Sequence, residues 1–246
     1  MKSRILCLFL LFTLSSCQFG RFVIYNFADI TDYKKFPQVA IKKPVDPFLF
    51  HQGDETYKRL VGGITLNSEK MDKLNLTQFL AEETKTVAFI VIKNDSILYE
   101  EYFEKYNEES IVTSFSVAKS YVSALVGIAI QEGHINDVNE PITNYISELA
   151  SKDPRFKNIL IEHVLNMRTG LKFNEDSYTN PFAEIAKLYY GRNHLKQVIN
   201  TKIEEDPNQS YEYQSINTEI LAIIIERATG QKLAEYFEEK IWQPLG

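Results

Sequence analysis

The chain has 246 residues, of which 44% are hydrophobic and 24% are charged, and its formal net charge is −6. This length and composition are typical of a globular protein with one sizeable core or two small ones, and they exclude a mainly disordered chain. The charges are spread over short mixed segments without a clustered Lys/Arg stripe, so we expect no nucleic-acid partner.

The first 17 residues have the pattern of a secretory signal. Lys2 and Arg4 precede an apolar run over residues 5–14, which is shorter than the roughly 20 residues of a membrane span. LSSC at residues 14–17 then resembles the lipobox of bacterial lipoproteins, whose cysteine is acylated and becomes the mature N-terminus. We therefore expect export to the bacterial cell envelope, periplasm or outer-membrane side, with a membrane anchor on Cys17. The alternative is an ordinary cleaved signal with Cys17 unmodified.

Neither a disulfide nor a metal site is expected. Cys7 lies within the signal, so cleavage would leave Cys17 as the one remaining cysteine. The four histidines lack the spacing of metal ligands; they are His51, His134, His163 and His194. We expect no metal ion and no cofactor.

Residues 18–61 carry scattered prolines and aromatic residues without periodicity, so we interpret them as a tether and irregular extension ahead of a domain over residues 62–246. Apolar spacing predicts an amphipathic helix over Ser68–Thr84, entered through Asn67 or Ser68. Two β-branched and aromatic runs then flank Lys93-Asn94-Asp95, which predicts a β-hairpin.

Beyond Ser110 the apolar spacing is helical. The predicted helices cover residues 116–132, 141–149, 160–170, 181–199, 215–230 and 232–242. Gly170 and Gly230 are predicted to be left-handed C-caps. Strands followed by a block of helices indicate the α+β class, with an antiparallel sheet packed against a helical region. Two strands alone do not make a stable sheet, so further strands are expected.

Ser116 and Lys119 are three residues apart at the start of a predicted helix and therefore share a face. The helix is apolar around most of its circumference, so we expect Lys119 to be desolvated, which disfavours the charged form of its amine. An uncharged amine beside a hydroxyl can take its proton and turn the serine into a nucleophile. The alternative is a chance S-x-x-K spacing with a lysine that reaches solvent from the helix end.

A second pair of polar residues precedes the helix predicted over residues 215–230. Tyr213 and Ser215 are two residues apart on a loop, so both can face one cleft. The phenol can pass a proton to a leaving group, and the hydroxyl can hold a substrate amide. The alternative is that Tyr213 is a packing residue.

Ser116-x-x-Lys119 followed about a hundred residues later by Tyr213-x-Ser215 resembles the penicillin-recognising serine hydrolases. The segments VTSFSVAKSYVSALVGIAIQEG and ILIEHVLNMRTGL are similar to those of class C β-lactamase-like esterases and peptidases. YEYQSINTEILAIIIERATG resembles the nylon-oligomer hydrolase branch, in which serine replaces the usual asparagine. The resemblance implies a β-lactamase/transpeptidase-like fold.

The same resemblance implies roles for individual residues. Ser116 would be the nucleophile, Lys119 its activating base and Tyr213 the proton relay. Ser215 would take the place of the substrate-binding asparagine, and Asn217 is the alternative if the loop register differs. The implied reaction is hydrolysis of a small-molecule amide or ester, with β-lactam or peptidoglycan-related substrates left open. The competing hypothesis is a non-catalytic envelope sensor lipoprotein of the same fold.

One family motif is missing from its expected place. Members carry K-[TS]-G or H-x-G on a strand after the tyrosine loop, where it supplies one of the two oxyanion-hole amides. No such motif follows Tyr213, and RTG at residues 168–170 precedes it within a predicted helix end. The resemblance therefore implies that residues 62–246 lack the C-terminal strands and helix of the domain. We expect purified residues 18–246 to be poorly active.

Overall fold

The computed structural model describes residues 18–25, 27–67, 73–176 and 179–246, so the predicted signal and Cys17 lie outside the described residues. The chain divides into two compact units. The first comprises the described residues up to Lys43 together with Thr113–Pro244, and the second comprises Pro44–Val112 with Leu245–Gly246. The first unit is mainly helical and the second contains a β-hairpin, which confirms the α+β class.

The helices and strands are numbered in chain order. They are α1 (Gln18–Tyr25), β1 (His51–Gln52), α2 (Glu55–Gly62), β2 (Thr65–Leu66), β3 (Leu74–Asn75), α3 (Leu76–Glu82), β4 (Ala88–Lys93), β5 (Ser96–Tyr102), α4 (Ala118–Gln131), α5 (Ser147–Lys152), α6 (Ile161–Leu165), β6 (Leu171–Lys172), α7 (Glu184–Tyr190), α8 (His194–Asn200), β7 (Lys202–Ile203), α9 (Ser215–Thr229), α10 (Leu233–Phe237) and α11 (Gln243–Leu245). Short 3-10 turns cover Asp32–Lys34, Phe115–Val117, Ile142–Asn144 and Pro154–Asn158, and a π-helical turn covers Glu238–Trp242.

Strands β4 and β5 form the predicted hairpin, with Ala88 opposite Tyr102. Asn94 and Asp95 connect them with φ angles of 50° and 55°. Positive φ at both central residues is the geometry of a type I′ turn, which matches the twist of paired strands. The short strand β1 pairs parallel with β5, so the sheet order is β1-β5-β4.

The helix predicted over Ser68–Thr84 is shorter in the structure. Helix α3 begins at Leu76, because Asn75 and Gln78 cap it reciprocally. The Asn75 side chain accepts the backbone N–H of Gln78 at 2.8 Å, and the Gln78 side chain accepts the backbone N–H of Asn75 at 3.2 Å. This capping box fixes the helix start. Residues 68–72 of the prediction lie outside the described residues.

The core of the helical unit is built around α4 and α9, which pack against each other. Their buried side chains belong to one apolar cluster; these are Val122, Leu125, Val126, Ala129, Ile216, Ile220, Leu221, Ile224 and Ile225. Helix α9 ends as predicted at Gly230, whose φ is 72° and whose N–H donates to Glu226 O at 3.0 Å. Burial of these two faces positions the residues that precede each helix.

Helix α4 is buried on one face, whereas the sequence predicted burial on nearly every side. Tyr121 on its other face is 40% exposed, and Val117, which directly precedes the helix, is 59% exposed. The apolar content of a helix shows how much of its surface is able to be buried, and the tertiary packing decides how much is buried. Lys119 is only partly buried for the same reason, so the burial expected for it from the sequence is not reached.

Two predicted helix bounds were wrong because of the local backbone. Helix α6 ends at Leu165, and Gly170 lies beyond it in the loop that leads to β6, with φ 66°. The helix predicted over residues 181–199 is divided into α7 and α8 at Gly191. A Cβ atom on Gly191 would lie 2.3 Å from Lys187 O, so the chain approaches α7 too closely there for another residue type.

The predicted N-terminal tether is partly folded. Residues Gln18–Tyr25 form α1, which packs against α7. The Phe22 ring lies edge-on to the Tyr190 ring, with centroids 5.2 Å apart. Arg21 of the same helix is 3% exposed. This correction matters for the site, because α1 contributes to the wall of a cleft.

Within the described ranges, no helix has both the length and the apolarity needed to cross a bilayer.

Gly170 allows a test of how closely two backbone segments approach each other in the loop before β6. A Cβ atom there would lie 2.3 Å from Glu205 O, whereas a Cβ atom on Gly230, with a similar φ, would meet nothing within 4 Å. We expect Gly230→Ala to lower the free energy of unfolding by about 1–2 kcal/mol, the cost of left-handed backbone. Gly170→Ala is expected to cost about 3 kcal/mol, because the backbone carbonyl must also move. Urea denaturation followed by circular dichroism measures both; equal losses would contradict the close contact.

Candidate active site

Ser116 lies in the 3-10 turn Phe115–Val117 that leads into α4. Phe115 has φ 45°, in the left-handed region that bulky residues avoid. Strained backbone of this kind persists where the surrounding structure holds it, and it clusters at functional sites. The Ser116 side chain is exposed at this turn, so its hydroxyl is accessible.

Lys119 stands directly beside Ser116. Its Nζ atom lies 3.0 Å from Ser116 Oγ, which is hydrogen-bond distance. The two residues are three positions apart, and the junction of the 3-10 turn with α4 keeps them on one face. Ser116 is the one hydrogen-bonding partner of Lys119 Nζ among the described residues. The pair therefore has the short contact that a nucleophile and its base require.

Tyr213 approaches the same lysine from the loop before α9. The Lys119 Nζ atom lies 5.1 Å from the centroid of the Tyr213 ring. Tyr213 is 39% exposed, so it borders solvent rather than the core. A cation over a tyrosine ring is attracted to it, which holds the lysine amine between the ring and the Ser116 hydroxyl. The structure thus brings together the three residues singled out in the sequence.

Ser215 begins α9 and is bound to a carboxylate that the sequence did not indicate. Its backbone N–H and its hydroxyl donate to the two oxygens of Glu175, at 2.8 and 2.5 Å. A carboxylate at a helix N-terminus satisfies free N–H groups and complements the helix dipole. Glu175 lies 40 residues upstream of Ser215, so no local sequence pattern relates them. The Ser215 hydroxyl keeps its acceptor lone pairs for another donor.

Asn217 does not face a cleft. It is fully buried, its Oδ1 accepts the Thr169 hydroxyl at 3.1 Å, and its Nδ2 lies 3.3 Å from Met167 Sδ. Its amide is therefore engaged inside the helical unit, and the alternative assignment of Asn217 as a substrate ligand is not supported by its position. The same hydrogen bond gives Thr169 of the RTG segment a structural role, because it joins this segment to Asn217 of α9 in the interior of the helical unit.

Two clefts meet at the Ser116–Lys119 pair. The larger cleft has a volume of about 960 Å³ and the smaller about 620 Å³, and Ser116, Lys119 and Thr218 line both. Tyr213 lines the smaller cleft and Ser215 the larger. A substrate could place groups on either side of a carbonyl held at Ser116, as a hydrolase of amides or esters requires.

The wall of the larger cleft contains a hydrogen bond between a histidine and a carboxylate. His194 Nδ1 and Glu219 Oε2 are 2.8 Å apart. The Glu219 carboxylate raises the pKa of His194 above its usual value, against the opposing effects of burial and of the Arg21 charge. Tyr189 also lines this cleft and donates to Asp32 Oδ2 at 2.5 Å. Burial and the Asp32 carboxylate together raise the pKa of Tyr189, which keeps it protonated.

His163 has a structural role. Its Nδ1 accepts the backbone N–H of Leu160 at 3.1 Å at the start of α6. In the parts of the chain that the structure describes, no three histidine, cysteine or acidic side chains gather as metal ligands would.

The chain is similar to known proteins in sequence and in fold. The family model described as Beta-lactamase matches residues 73–246. The chain therefore belongs to the Beta-lactamase family, and the resemblance noted in the sequence is confirmed at that level. The matched range includes Ser116, Lys119, Tyr213 and Ser215, and it excludes Arg21.

One curated relative is the 6-aminohexanoate-dimer hydrolase of Paenarthrobacter ureafaciens, which is 32% identical over 180 residues. The alignment covers 67% of this chain and 43% of that protein. An uncharacterized protein of Alkalihalophilus pseudofirmus is 26% identical over 160 residues, and the alignment covers 61% of this chain and 39% of that protein. The chain thus spans less than half of the length of these curated relatives.

The fold is shared with solved structures. A Bacillus anthracis protein provisionally named a 6-aminohexanoate-dimer hydrolase superposes with a TM-score of 0.71 at 24% identity, covering 91% of this chain and 58% of that one. A Bacteroides dorei protein provisionally named a beta-lactamase has a TM-score of 0.56 at 20% identity, covering 70% of this chain and 49% of that one. The predicted β-lactamase/transpeptidase-like fold is confirmed.

Proposed function

We propose that the protein is a serine hydrolase that cleaves a small-molecule amide or ester through an acyl-enzyme on Ser116. One observation carries this proposal: Lys119 Nζ lies 3.0 Å from Ser116 Oγ where two clefts meet. Membership of the Beta-lactamase family, and the name of the Paenarthrobacter relative as a hydrolase of an amide dimer, support the same reaction class.

The proposed chemistry follows from the side-chain positions. Lys119 takes the Ser116 hydroxyl proton, a step that requires the unprotonated amine, while Oγ forms a bond to the substrate carbonyl carbon. The proton then passes, with Tyr213 as relay, to the leaving amine or alcohol as its bond to carbon breaks. Water attacks the acyl-Ser116 ester in a second step, which releases the acid and restores the Ser116 hydroxyl.

Ser215 is the proposed ligand of the substrate amide. Its hydroxyl hydrogen is donated to Glu175, so its oxygen is oriented to accept an N–H from a ligand in the larger cleft. An ester has no N–H to donate, which favours amides over esters in binding at this position. Glu175 is a positioning residue in this account.

A covalent probe tests the proposal. Because the chain spans less than half the length of its curated relatives, the test uses protein expressed from its own gene. A fluorophosphonate should add one adduct, which peptide mapping places on Ser116, and Ser116→Ala should remain unlabelled. Labelling of Ser116→Ala at the wild-type rate would refute the assignment. A folded protein that binds a β-lactam or peptide ligand but forms no adduct would favour the sensor hypothesis instead.

We also propose that the protein is a lipoprotein anchored through Cys17. Helix α1 begins at the next residue, Gln18, so such an anchor would hold the helical unit close to the membrane surface. In a bacterial host, radiolabelled palmitate should appear in the protein, and Cys17→Ala should abolish the label and release the protein from the membrane fraction. Cys7→Ala, which changes the signal alone, should keep both. A labelled Cys17→Ala protein would rule out this anchor.

A further inference from the structure

Arg21 is a buried cation in the wall of the larger cleft. Its side chain is 3% exposed and lines the same cleft as Ser116. Its Nη1 donates to Gly191 O at 3.3 Å, and its Nε has no acceptor among the described residues. A guanidinium has five N–H donors, so most of its hydrogen-bonding capacity is unused. No described acidic side chain forms an ion pair with it.

Aromatic rings compensate part of this buried charge. The guanidinium carbon lies 5.5 Å from the Tyr25 ring centroid and 5.4 Å from that of Phe36. Cation–π contacts stabilise a desolvated cation less than a bidentate carboxylate does. Because arginine stays charged in proteins, an unpaired buried guanidinium carries a desolvation cost that a bound anion would offset.

The acidic groups that line the cleft already have partners. Glu219 is paired with His194 at 2.8 Å, and Asp32 is paired with Lys35 at 2.6 Å. Arg192, which also lines the cleft, has no acidic partner in the described part of the chain. The cleft therefore carries an excess of positive charge beside the candidate nucleophile, which favours an anionic ligand.

We propose that Arg21 binds a carboxylate of the substrate, so that the enzyme prefers amides or esters that carry an acidic group. The planar guanidinium fork fits a carboxylate in bidentate fashion. This inference rests on the proposed function, because it places the acidic group in the cleft that Ser116 shares. Arg21 lies outside the range that matches the family model, so it would be a specificity residue added to the shared catalytic motifs.

Two matched pairs of esters test the preference and locate the carboxylate. Mono-p-nitrophenyl adipate and p-nitrophenyl hexanoate differ by a carboxylate on the acyl part. The hexanoyl esters of 3-hydroxybenzoate and of 3-methylphenol differ by a carboxylate on the leaving group. For one pair, we expect kcat/KM to be about 10- to 100-fold higher for the acidic ester, the size of a charge-assisted hydrogen-bond pair. Ratios near one in both pairs would overturn the inference.

Variants separate recognition from support of the fold. Arg21→Met should bring the acidic-to-neutral ratio close to one, and Arg21→Lys should leave an intermediate ratio, because lysine keeps the charge and loses the fork. A structural role alone would lower kcat/KM for both esters of a pair equally and leave the ratio unchanged. Arg155→Met is the matched control, because Arg155 is an exposed arginine paired with Asp153 outside both clefts. Its ratio should equal that of the wild type.

A binding measurement distinguishes failure of this inference from failure of the proposed function. On Ser116→Ala protein, calorimetry should give a dissociation constant for hexanoate at least about tenfold below that for hexanamide, and Arg21→Met should remove the difference. Equal constants would overturn the carboxylate site whatever the turnover results. Tighter hexanoate binding by Ser116→Ala protein, together with wild-type protein that a fluorophosphonate does not label, would retain the site and refute the hydrolase.

Discussion

Replacing Ser116 by alanine is expected to lower kcat/KM for any hydrolysed amide or ester by about 10³-fold or more. The expectation follows from the 3.0 Å contact between Lys119 Nζ and Ser116 Oγ. Among the described serines, Ser116 is the one whose hydroxyl is hydrogen-bonded to a lysine amine. Removal of a nucleophile leaves the rate enhancement that binding and carbonyl polarisation supply. The loss is measured as the ratio of wild-type to variant kcat/KM, from initial rates with whichever ester of each acidic and neutral pair the wild type hydrolyses faster.

Ser151→Ala is the control for this variant. Ser151 is an exposed serine of α5, lies outside both clefts and donates to Ser147 O at 3.3 Å. Its kcat/KM should equal that of the wild type within experimental error. Retention of more than about a tenth of the wild-type rate by Ser116→Ala would show that hydrolysis proceeds through another group.

Lys119→Met is expected to cause a loss of similar size, because the nucleophile and its base act as one unit. The Ser116→Ala, Lys119→Met double variant should be no slower than either single variant. Lys119→Arg should also be inactive, since arginine keeps the positive charge but cannot accept a proton. Near-wild-type activity of Lys119→Arg would show that the charge is needed and the base is not.

Lys157→Met is the matched control for the lysine variants. Lys157 is exposed in the 3-10 turn Pro154–Asn158, away from both clefts. Its activity should be unchanged. Additive losses in the double variant would contradict the idea that Ser116 and Lys119 act on one proton transfer.

Local sequence rules predicted the elements that local chemistry determines. The turn at Asn94 and Asp95 needs two residues that tolerate positive φ, and the end of α9 needs a left-handed residue, which Gly230 supplies. Ser116 and Lys119 are close because helix geometry alone brings residues three apart onto one face. Each of these features depends on a few residues that are neighbours in the sequence, so each can be predicted from the sequence alone.

The remaining features depend on contacts between distant segments. Glu175 reaches Ser215 across 40 residues of sequence, and no spacing rule predicts such a contact. The exposed face of α4 follows from which helices pack on it, and the apolar pattern does not specify this. Residues 18–25 were interpreted as part of a tether because the segment from residue 18 to 61 lacks apolar periodicity. A helix of eight residues is marginal alone, and α1 is held by tertiary contacts such as Phe22 with Tyr190. The position of Arg21 in the larger cleft was not predicted, because it depends on the same tertiary contacts of α1.

The most direct test of this account is to observe the acyl-enzyme itself. Protein expressed from its own gene is mixed with mono-p-nitrophenyl adipate, quenched in acid within milliseconds to seconds, and analysed by intact mass and peptide mapping. We predict a mass increase equal to one adipoyl group, located on Ser116, that appears with the burst of p-nitrophenol and decays as the acid is released. Turnover of the ester with no acyl group on Ser116, or an acyl group that persists in Ser116→Ala, would contradict it.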